Sequence, residues 1–267
     1  MSFGNFNYNQ DTYLAQIARG NIEGAEVFQA FGSTSTAGGS DLLIFPNGIY
    51  TFSYPEQTTG ETVTFVSTDD EDAVGGTGIS KIHVHYLDAD LNEQFAIITL
   101  TGTTPVTGQL SGVRFIQCMH VYDEDSVGTD LAAAGDILAY RADAVTPEDE
   151  VFSIILATDT RCSSSMRMVP KDKVLMLYGA AASSVSTTAD AYSNIRIFAT
   201  EFGHQKYNTK FIKMPIASLG MQNGNATYNF PVPTEFSEGT VIGGKFDANR
   251  PCIITLILFG TIENAGV

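Results

Sequence analysis

Three histidines are the residues of this sequence whose types and spacing could support metal chemistry. His83 and His85 stand two positions apart in the run Lys81-Ile-His-Val-His-Tyr-Leu87, and His120 follows in the run Gly112–Val121. Because side chains alternate across a strand, such a pair shares one face, where two imidazoles can chelate one ion and His120 could add a third ligand. No carboxylate stands at the spacing that such barrel metal sites use. We therefore expect histidines on a sheet surface and no metal site.

A second candidate is an acidic turn that begins like a calcium-binding loop. Asp88, Asp90 and Asn92 offer oxygen atoms at alternate positions, as Ca²⁺ loops do. The sixth position holds Glu93 where such loops carry glycine, and the twelfth holds Thr99 where a bidentate Glu is needed. Asp and Asn also form ordinary turns, because their side chains bind nearby backbone groups. We predict a plain β-turn here.

No catalytic motif is found in the sequence. It contains no G-x-S-x-G nucleophile elbow, no phosphate-binding P-loop and no H-E-x-x-H zinc motif. The 30 acidic residues include many neighbouring carboxylates, but no spacing distinguishes a general acid from a general base. We predict a protein that is not an enzyme and that needs no cofactor.

The elements that position these residues are predicted to be β-strands. Glycine is plentiful, with 25 residues, Phe and Tyr together number 28, and only 16% of the residues are charged. This composition is typical of β-sheets. Short apolar runs, separated by turn residues, recur from Leu42 to the C-terminal run Cys252–Phe259. That spacing favours antiparallel sandwiches, so we predict an all-β fold with two β-sandwich-like regions.

Three regions divide the chain. Residues 1–40 are predicted to form a short N-terminal arm, helical at 11–19, with a flexible Gly- and Ser-rich linker at 32–40. Residues 41–125 are predicted to form a first, acidic β domain, and residues 126–267 a second β-sandwich domain. No secretory signal and no membrane-spanning apolar run is found, so we expect synthesis in the cytoplasm and no membrane contact.

Charge is distributed unevenly along the chain. Residues 1–150 hold 22 acidic and 4 basic residues, a net charge of −18, whereas residues 151–267 hold 8 acidic and 10 basic residues, a net charge of +2. An acidic surface repels phosphate backbones, so we expect no direct binding of nucleic acid. Copies that met through the acidic region would bring like charges together. We therefore expect self-association through the near-neutral region.

The three cysteines indicate free thiols. Cys118, Cys162 and Cys252 lie far apart in the sequence and show no C-x-x-C spacing. An odd number of cysteines fits poorly with a disulfide framework. We expect each thiol to be buried in or beside a strand.

Part of the sequence resembles a known family. The runs Tyr86-Leu-Asp-Ala-Asp-Leu-Asn-Glu93 and Thr99-Leu-Thr-Gly-Thr-Thr-Pro-Val-Thr107 resemble a group of tailed-phage virion structural proteins, in which an LDAxxNE turn precedes a strand that ends in TLxGTTxV. The later run Gly112-Val-Arg-Phe-Ile-Gln117 is similar to a further strand of that group. The resemblance covers residues 80–117 and implies a bacteriophage particle component without catalytic residues.

Several positions within a particle stay open. The major capsid fold would require a long spine helix, so a capsid decoration protein on the head, or a neck, collar or fibre protein, suits the sequence better. We expect a homo-oligomer, with a trimer as first guess, that binds other virion proteins and is located in the virion. The alternative is a glycan-binding β-sandwich adhesion module, in which Tyr would replace the absent Trp as a stacking platform.

Overall fold

The computed structural model describes Tyr13 and residues 15–45, 50–55, 58–122, 132–201 and 213–265. Strands make up 59% of the structure and helix 3%, so the predicted all-β fold is confirmed. Residues 15–18 are helical, and the helix ends at Gly20, whose φ is 70°. Residues 11, 12 and 14 of the helix predicted at 11–19 lie outside the described residues.

The described residues form sixteen strands and one 3₁₀ turn at Pro147–Asp149. The strands are β1 (Ala25–Thr36), β2 (Gly39–Leu43), β3 (Glu61–Ser67), β4 (Lys81–Leu87), β5 (Glu93–Thr99), β6 (Val106–Val113), β7 (Phe115–Val121), β8 (Ile137–Arg141), β9 (Val151–Ile155), β10 (Arg167–Met168), β11 (Lys173–Val185), β12 (Ser193–Glu201), β13 (Lys213–Met221), β14 (Gly224–Phe236), β15 (Thr240–Ala248) and β16 (Cys252–Asn264).

Four sheets combine into two sandwiches. In the first sandwich, the sheet β6-β3-β8-β9 shares an apolar core with the sheet β5-β4-β7. In the second sandwich, the sheet β1-β16-β11-β14 packs on the sheet β10-β15-β12-β13, in which β2 also pairs with β15. A third apolar cluster, here called the seam, includes residues of both sandwiches, among them Leu87 and Phe115 from the first and Met168 and Val241 from the second.

The predicted linker at residues 32–40 is wrong, because this stretch belongs to strands. All twelve residues of β1 pair antiparallel with β16, and β2 pairs with β15. Gly32 serves close packing, since a Cβ there would lie 2.4 Å from the backbone nitrogen of Ser165. Asp41 anchors β2 through the ammonium group of Lys245, at an N···O distance of 2.5 Å.

The strand pairing also places the domain boundaries differently from the sequence prediction. Strands β8 and β9 lie beyond residue 125, but β8 pairs with β3 and β9 pairs with β8, so the first sandwich extends through Ile155. The second sandwich takes β1 and β2 from the start of the chain and β10–β16 from its end. The first sandwich is therefore a contiguous insertion in the second sandwich, whose strands come from residues 25–43 and 167–264.

A buried carboxylate organises the acidic loop of the first sandwich. Asp72, which is fully buried, accepts hydrogen bonds from the hydroxyl of Ser67 at 2.6 Å and from the backbone N–H of Ile79 at 2.8 Å. It also accepts bonds from the backbone N–H groups of Ala134 and Gly135, both at 2.9 Å. One side chain thus satisfies four donors and joins the loop after β3 to the segment before β8.

Removal of this carboxylate is expected to destabilise the fold. Asp72→Ala leaves four donors without their acceptor, and we expect a loss of about 3 kcal/mol or more in the free energy of unfolding. Urea unfolding followed by circular dichroism measures the change. Asp70→Ala is the matched control, because Asp70 lies in the same loop but is exposed and bonds only Thr103. Equal losses of stability in the two variants would contradict the role assigned to the Asp72 carboxylate.

Candidate functional site

The three predicted histidines meet on the outer face of the sheet β5-β4-β7. His83 on β4 pairs in register with His120 on β7, and their ring nitrogens Nδ1 and Nε2 lie 3.1 Å apart. The inward residues of β4, Ile82 and Val84, are fully buried in the first core. The alternation predicted for this strand therefore holds from Lys81 to His85.

A β-bulge in β7 lies opposite the end of β4. The register of the two strands shifts between His85 and Tyr86, and Gln117 is the residue of β7 left without a partner on β4. The alternation of β4 continues past this point, because Tyr86 packs against the first core. Leu87 follows on the face of the histidines, but it is fully buried in the seam. The seam therefore covers this face of β4 at Leu87 and leaves His83 and His85 outside.

An exposed aromatic ring connects the two histidines of β4. Phe95 on β5 stacks with His85 at a centroid distance of 4.4 Å and with His83 at 5.3 Å. Nε2 of His85 also lies 3.3 Å from Oε1 of Glu93. Phe95 keeps 61% of its surface exposed, so this cluster is a surface feature and not a closed site.

The local contacts of the histidines are ring stacking and one hydrogen bond between His83 and His120. Partial burial, followed by the neighbouring His120 and His85, lowers the pKa of His83 below its ordinary value of 6.5. The hydrogen bond from the His85 ring is the largest cause that lowers the pKa of Glu93. Among the residues that the structure describes, no group of three or more His, Cys, Asp or Glu side chains is arranged to hold a metal ion.

The acidic turn uses its oxygen atoms internally. Oδ1 of Asp88 accepts hydrogen bonds from the backbone N–H groups of Asp90 at 2.9 Å and Asn92 at 3.0 Å. Oδ2 accepts bonds from the side-chain amides of Asn92 at 3.2 Å and Gln94 at 3.1 Å. Burial raises the pKa of Asp88, but these bonds outweigh it and lower the pKa. The turn has the geometry of the predicted β-turn, in which the side chain of Asp88 accepts bonds from nearby donors.

Sequence reasoning missed the contact that Gln117 makes with the second sandwich. Its side-chain amide donates to the carbonyl of Met168 at 2.5 Å, and its Oε1 accepts from the N–H of Met168 at 3.1 Å. Gln117 is 6% exposed, so both bonds are shielded from water. A polar residue between the apolar residues Ile116 and Met119 was the available signal, but its partner could not be identified from the sequence.

Comparison with known proteins gives only distant likenesses. No protein-family model matches the sequence, and no curated protein matches it. The chain is similar to E. coli ycfD at 9% identity over 68% of this chain and 42% of that chain, with a TM-score of 0.16. It thus spans less than half the length of ycfD.

Two of the similar structures come from viruses. The structure of the infectious bursal disease virus Gt strain is similar at 8% identity over 92% of this chain and 78% of that chain, with a TM-score of 0.17. The structure of Sulfolobus turreted icosahedral virus is similar at 11% identity over 90% of this chain and 94% of that chain, with a TM-score of 0.20. Likenesses at these scores do not establish a shared fold. Within the described ranges, no helix is long and apolar enough to cross a membrane.

The stability of the protein is expected to fall as His83 becomes protonated. Its lowered pKa means that the folded state binds this proton less readily than the unfolded state. The stabilisation is therefore complete above the ordinary pKa of 6.5 and is lost as the pH falls through the lowered value. We expect urea midpoints to decrease between about pH 7 and pH 5, and to decrease less in His83→Gln. Equal pH slopes in the two proteins would exclude His83 as the cause.

Proposed function

We propose that this protein is a non-enzymatic structural subunit of a tailed-phage virion. In this proposal it is an accessory homo-oligomer, either a head-decoration protein or a neck, collar or fibre protein, and its partners are its own copies and other virion proteins. The observation that carries the proposal is the resemblance at Tyr86–Glu93 and Thr99–Thr107. In the structure these runs form the turn between β4 and β5 and the turn from β5 into β6, which is the strand and turn context that the resemblance implies.

The charge of each sandwich supports an assembly role. Residues 61–155, which contain the first sandwich, hold 17 acidic and 3 basic residues, so they carry −14 of the total charge of −16. The second sandwich is therefore almost neutral. Copies that contact each other through it avoid the repulsion between like charges that contact through the first sandwich would cause.

The outer face of the sheet β1-β16-β11-β14 is the surface that suits self-association. Alternate residues of the central strand β16 point into the core, which leaves Ile253, Ile257 and Phe259 on the other face. Ile253 is 52% exposed and pairs with Val185, which is 61% exposed. Four cross-strand rows of this face contain no charged residue. They are Ser35–Ile253–Val185, Ser33–Thr255–Ser183–Asn225, Phe31–Ile257–Ala181–Thr227 and Gln29–Phe259–Gly179–Asn229.

A charge placed on this face is expected to weaken self-association. In Ile253→Lys, each copy would have to desolvate an unpaired ammonium group, and we expect the dissociation constant to rise about tenfold or more. Analytical ultracentrifugation over a concentration series measures the shift. Val145→Lys is the control, because Val145 is 97% exposed and lies in a loop of the first sandwich. An unchanged constant for Ile253→Lys, with the fold intact by circular dichroism, would exclude this face.

Electron microscopy of the source particle tests the assignment itself. We expect density for repeated copies of this chain at the head surface, the neck or a fibre, with the acidic first sandwich toward solvent or a basic neighbour. A particle without this chain would overturn the proposal. Self-contacts built mainly from residues 60–130 would overturn the assigned orientation of the two sandwiches.

A glycan-binding module is the second candidate, and one surface feature favours it. A shallow depression beside β2 and β15 includes Tyr192, which is 51% exposed and could stack on a sugar ring. Asp247 and Asn249 border it, but the first already binds Arg196 at 2.8 Å, and the second accepts the N–H of Tyr192 at 2.7 Å. A glycan array in which binding is lost on Tyr192→Ala would favour adhesion over a purely structural role.

A further inference from the structure

Two of the three cysteines approach each other where the chain leaves the first sandwich. Sγ of Cys118 on β7 lies 3.4 Å from Sγ of Cys162, which belongs to the segment between β9 and β10. Their separation of 44 residues hides this contact in the sequence. Both thiols are free in the structure.

Backbone pairing holds the two thiols in place. The segment that carries Cys162 lies along the outer edge of β7, where the N–H of Val121 donates to the carbonyl of Thr160 at 2.9 Å. The N–H of Cys162 donates to the carbonyl of Met119, also at 2.9 Å. The sulfur positions therefore follow from strand register rather than from a chance contact of mobile side chains.

The surroundings of the pair favour loss of one thiol proton. The hydrogen bond between the two thiols is the largest cause that lowers the pKa of Cys162, and the positive charge of Arg167 acts in the same direction. The same hydrogen bond raises the pKa of Cys118, which keeps its proton longer. A thiolate next to a protonated thiol is the arrangement from which a disulfide forms once an oxidant arrives.

We propose that Cys118 and Cys162 form a redox-sensitive pair that closes to a reversible disulfide. The sulfurs need to approach from 3.4 Å to the bond length of about 2.05 Å, which small side-chain rotations provide. The inference stands on the geometry of the chain and does not depend on the virion assignment.

Hydrogen peroxide is a small oxidant, and Cys118 of the pair is only partly buried. The thiolate sulfur attacks one peroxide oxygen, the O–O bond breaks, and the departing hydroxide takes a proton to leave as water. The resulting sulfenic acid is attacked by the second sulfur, and the S–S bond forms as a second water leaves with the remaining thiol proton. Two thiols thus lose two electrons, and one peroxide is reduced to two waters.

The disulfide would bind the segment between β9 and β10, which connects the two sandwiches, covalently to β7. Cys162 is 4% exposed, and Arg161 beside it places its guanidinium 5.7 Å from the ring centroid of Phe31 on β1. Ser163 on its other side accepts the N–H of Ser33 at 3.0 Å. The bond would therefore link β7 of the first sandwich to the segment that covers the edge of β1 in the second.

Thiol mapping of the full, reduced chain tests the proposal. After treatment with stoichiometric hydrogen peroxide, the protein is denatured, alkylated with N-ethylmaleimide and digested for mass spectrometry. We expect two of the three thiols to be lost, a cross-linked peptide pair containing Cys118 and Cys162, and recovery of both thiols with dithiothreitol. The oxidised protein should unfold at a temperature higher by roughly 5 °C or more.

Cys252 supplies the matched control. It lies in the second core, away from the other two thiols, and should stay alkylatable throughout. Cys252→Ser should form the cross-link as the natural chain does, whereas Cys118→Ser should not. Because the cross-link is read directly in the natural chain, a misfolded variant would not obscure the result. Three thiols that stay reactive, or thiols lost to sulfinic acid without a cross-linked peptide, would overturn the proposal.

Discussion

The apolar seam between the two sandwiches is the constraint on which the rest of the structure depends. Leu87 and Phe115 from the first sandwich pack there with Met168 and Val241 from the second. Apolar contact alone has no preferred direction, but the side-chain amide of Gln117 binds both backbone groups of Met168. These two shielded bonds act like one rung of a β-ladder, and they fix how β7 meets β10. A polar residue in a buried joint thus supplies specificity that the apolar residues cannot.

The joint also determines what reaches the surface. Leu87 follows the two histidines of β4 on the same face, but it lies in the seam, while His83 and His85 stay outside. The histidine cluster and the turn at Asp88 therefore lie beside the joint. Their side chains bond to one another and to nearby donors, which explains why metal-like spacing in the sequence leads to a stacked aromatic surface.

Local pattern predicted the strands well and long-range pairing poorly. Strand β4 has the predicted bounds, Lys81–Leu87, because alternating burial is encoded in consecutive residues. Strand β1 was predicted in part as a linker, since Gly, Ser and Thr are turn formers and its partner β16 stands more than 200 residues away. The sequence names His120 only as a candidate third ligand beside His83 and His85, because the register that pairs His83 with His120 leaves no periodic signal.

The two sandwiches differ in the sequence separation of their paired strands as well as in charge. Every strand of the first sandwich lies between Glu61 and Ile155, so its core can close without either end of the chain. The second sandwich needs β16, because this strand pairs with β1 on one side and β11 on the other. Contacts so distant in sequence form late, since loop closure opposes them. The outer face proposed for self-association is centred on β16, so it forms only once β16 has paired with β1 and β11. Assembly through that face would then select subunits in which the second sandwich has closed, and the acidic insertion, folded earlier, would already keep them soluble.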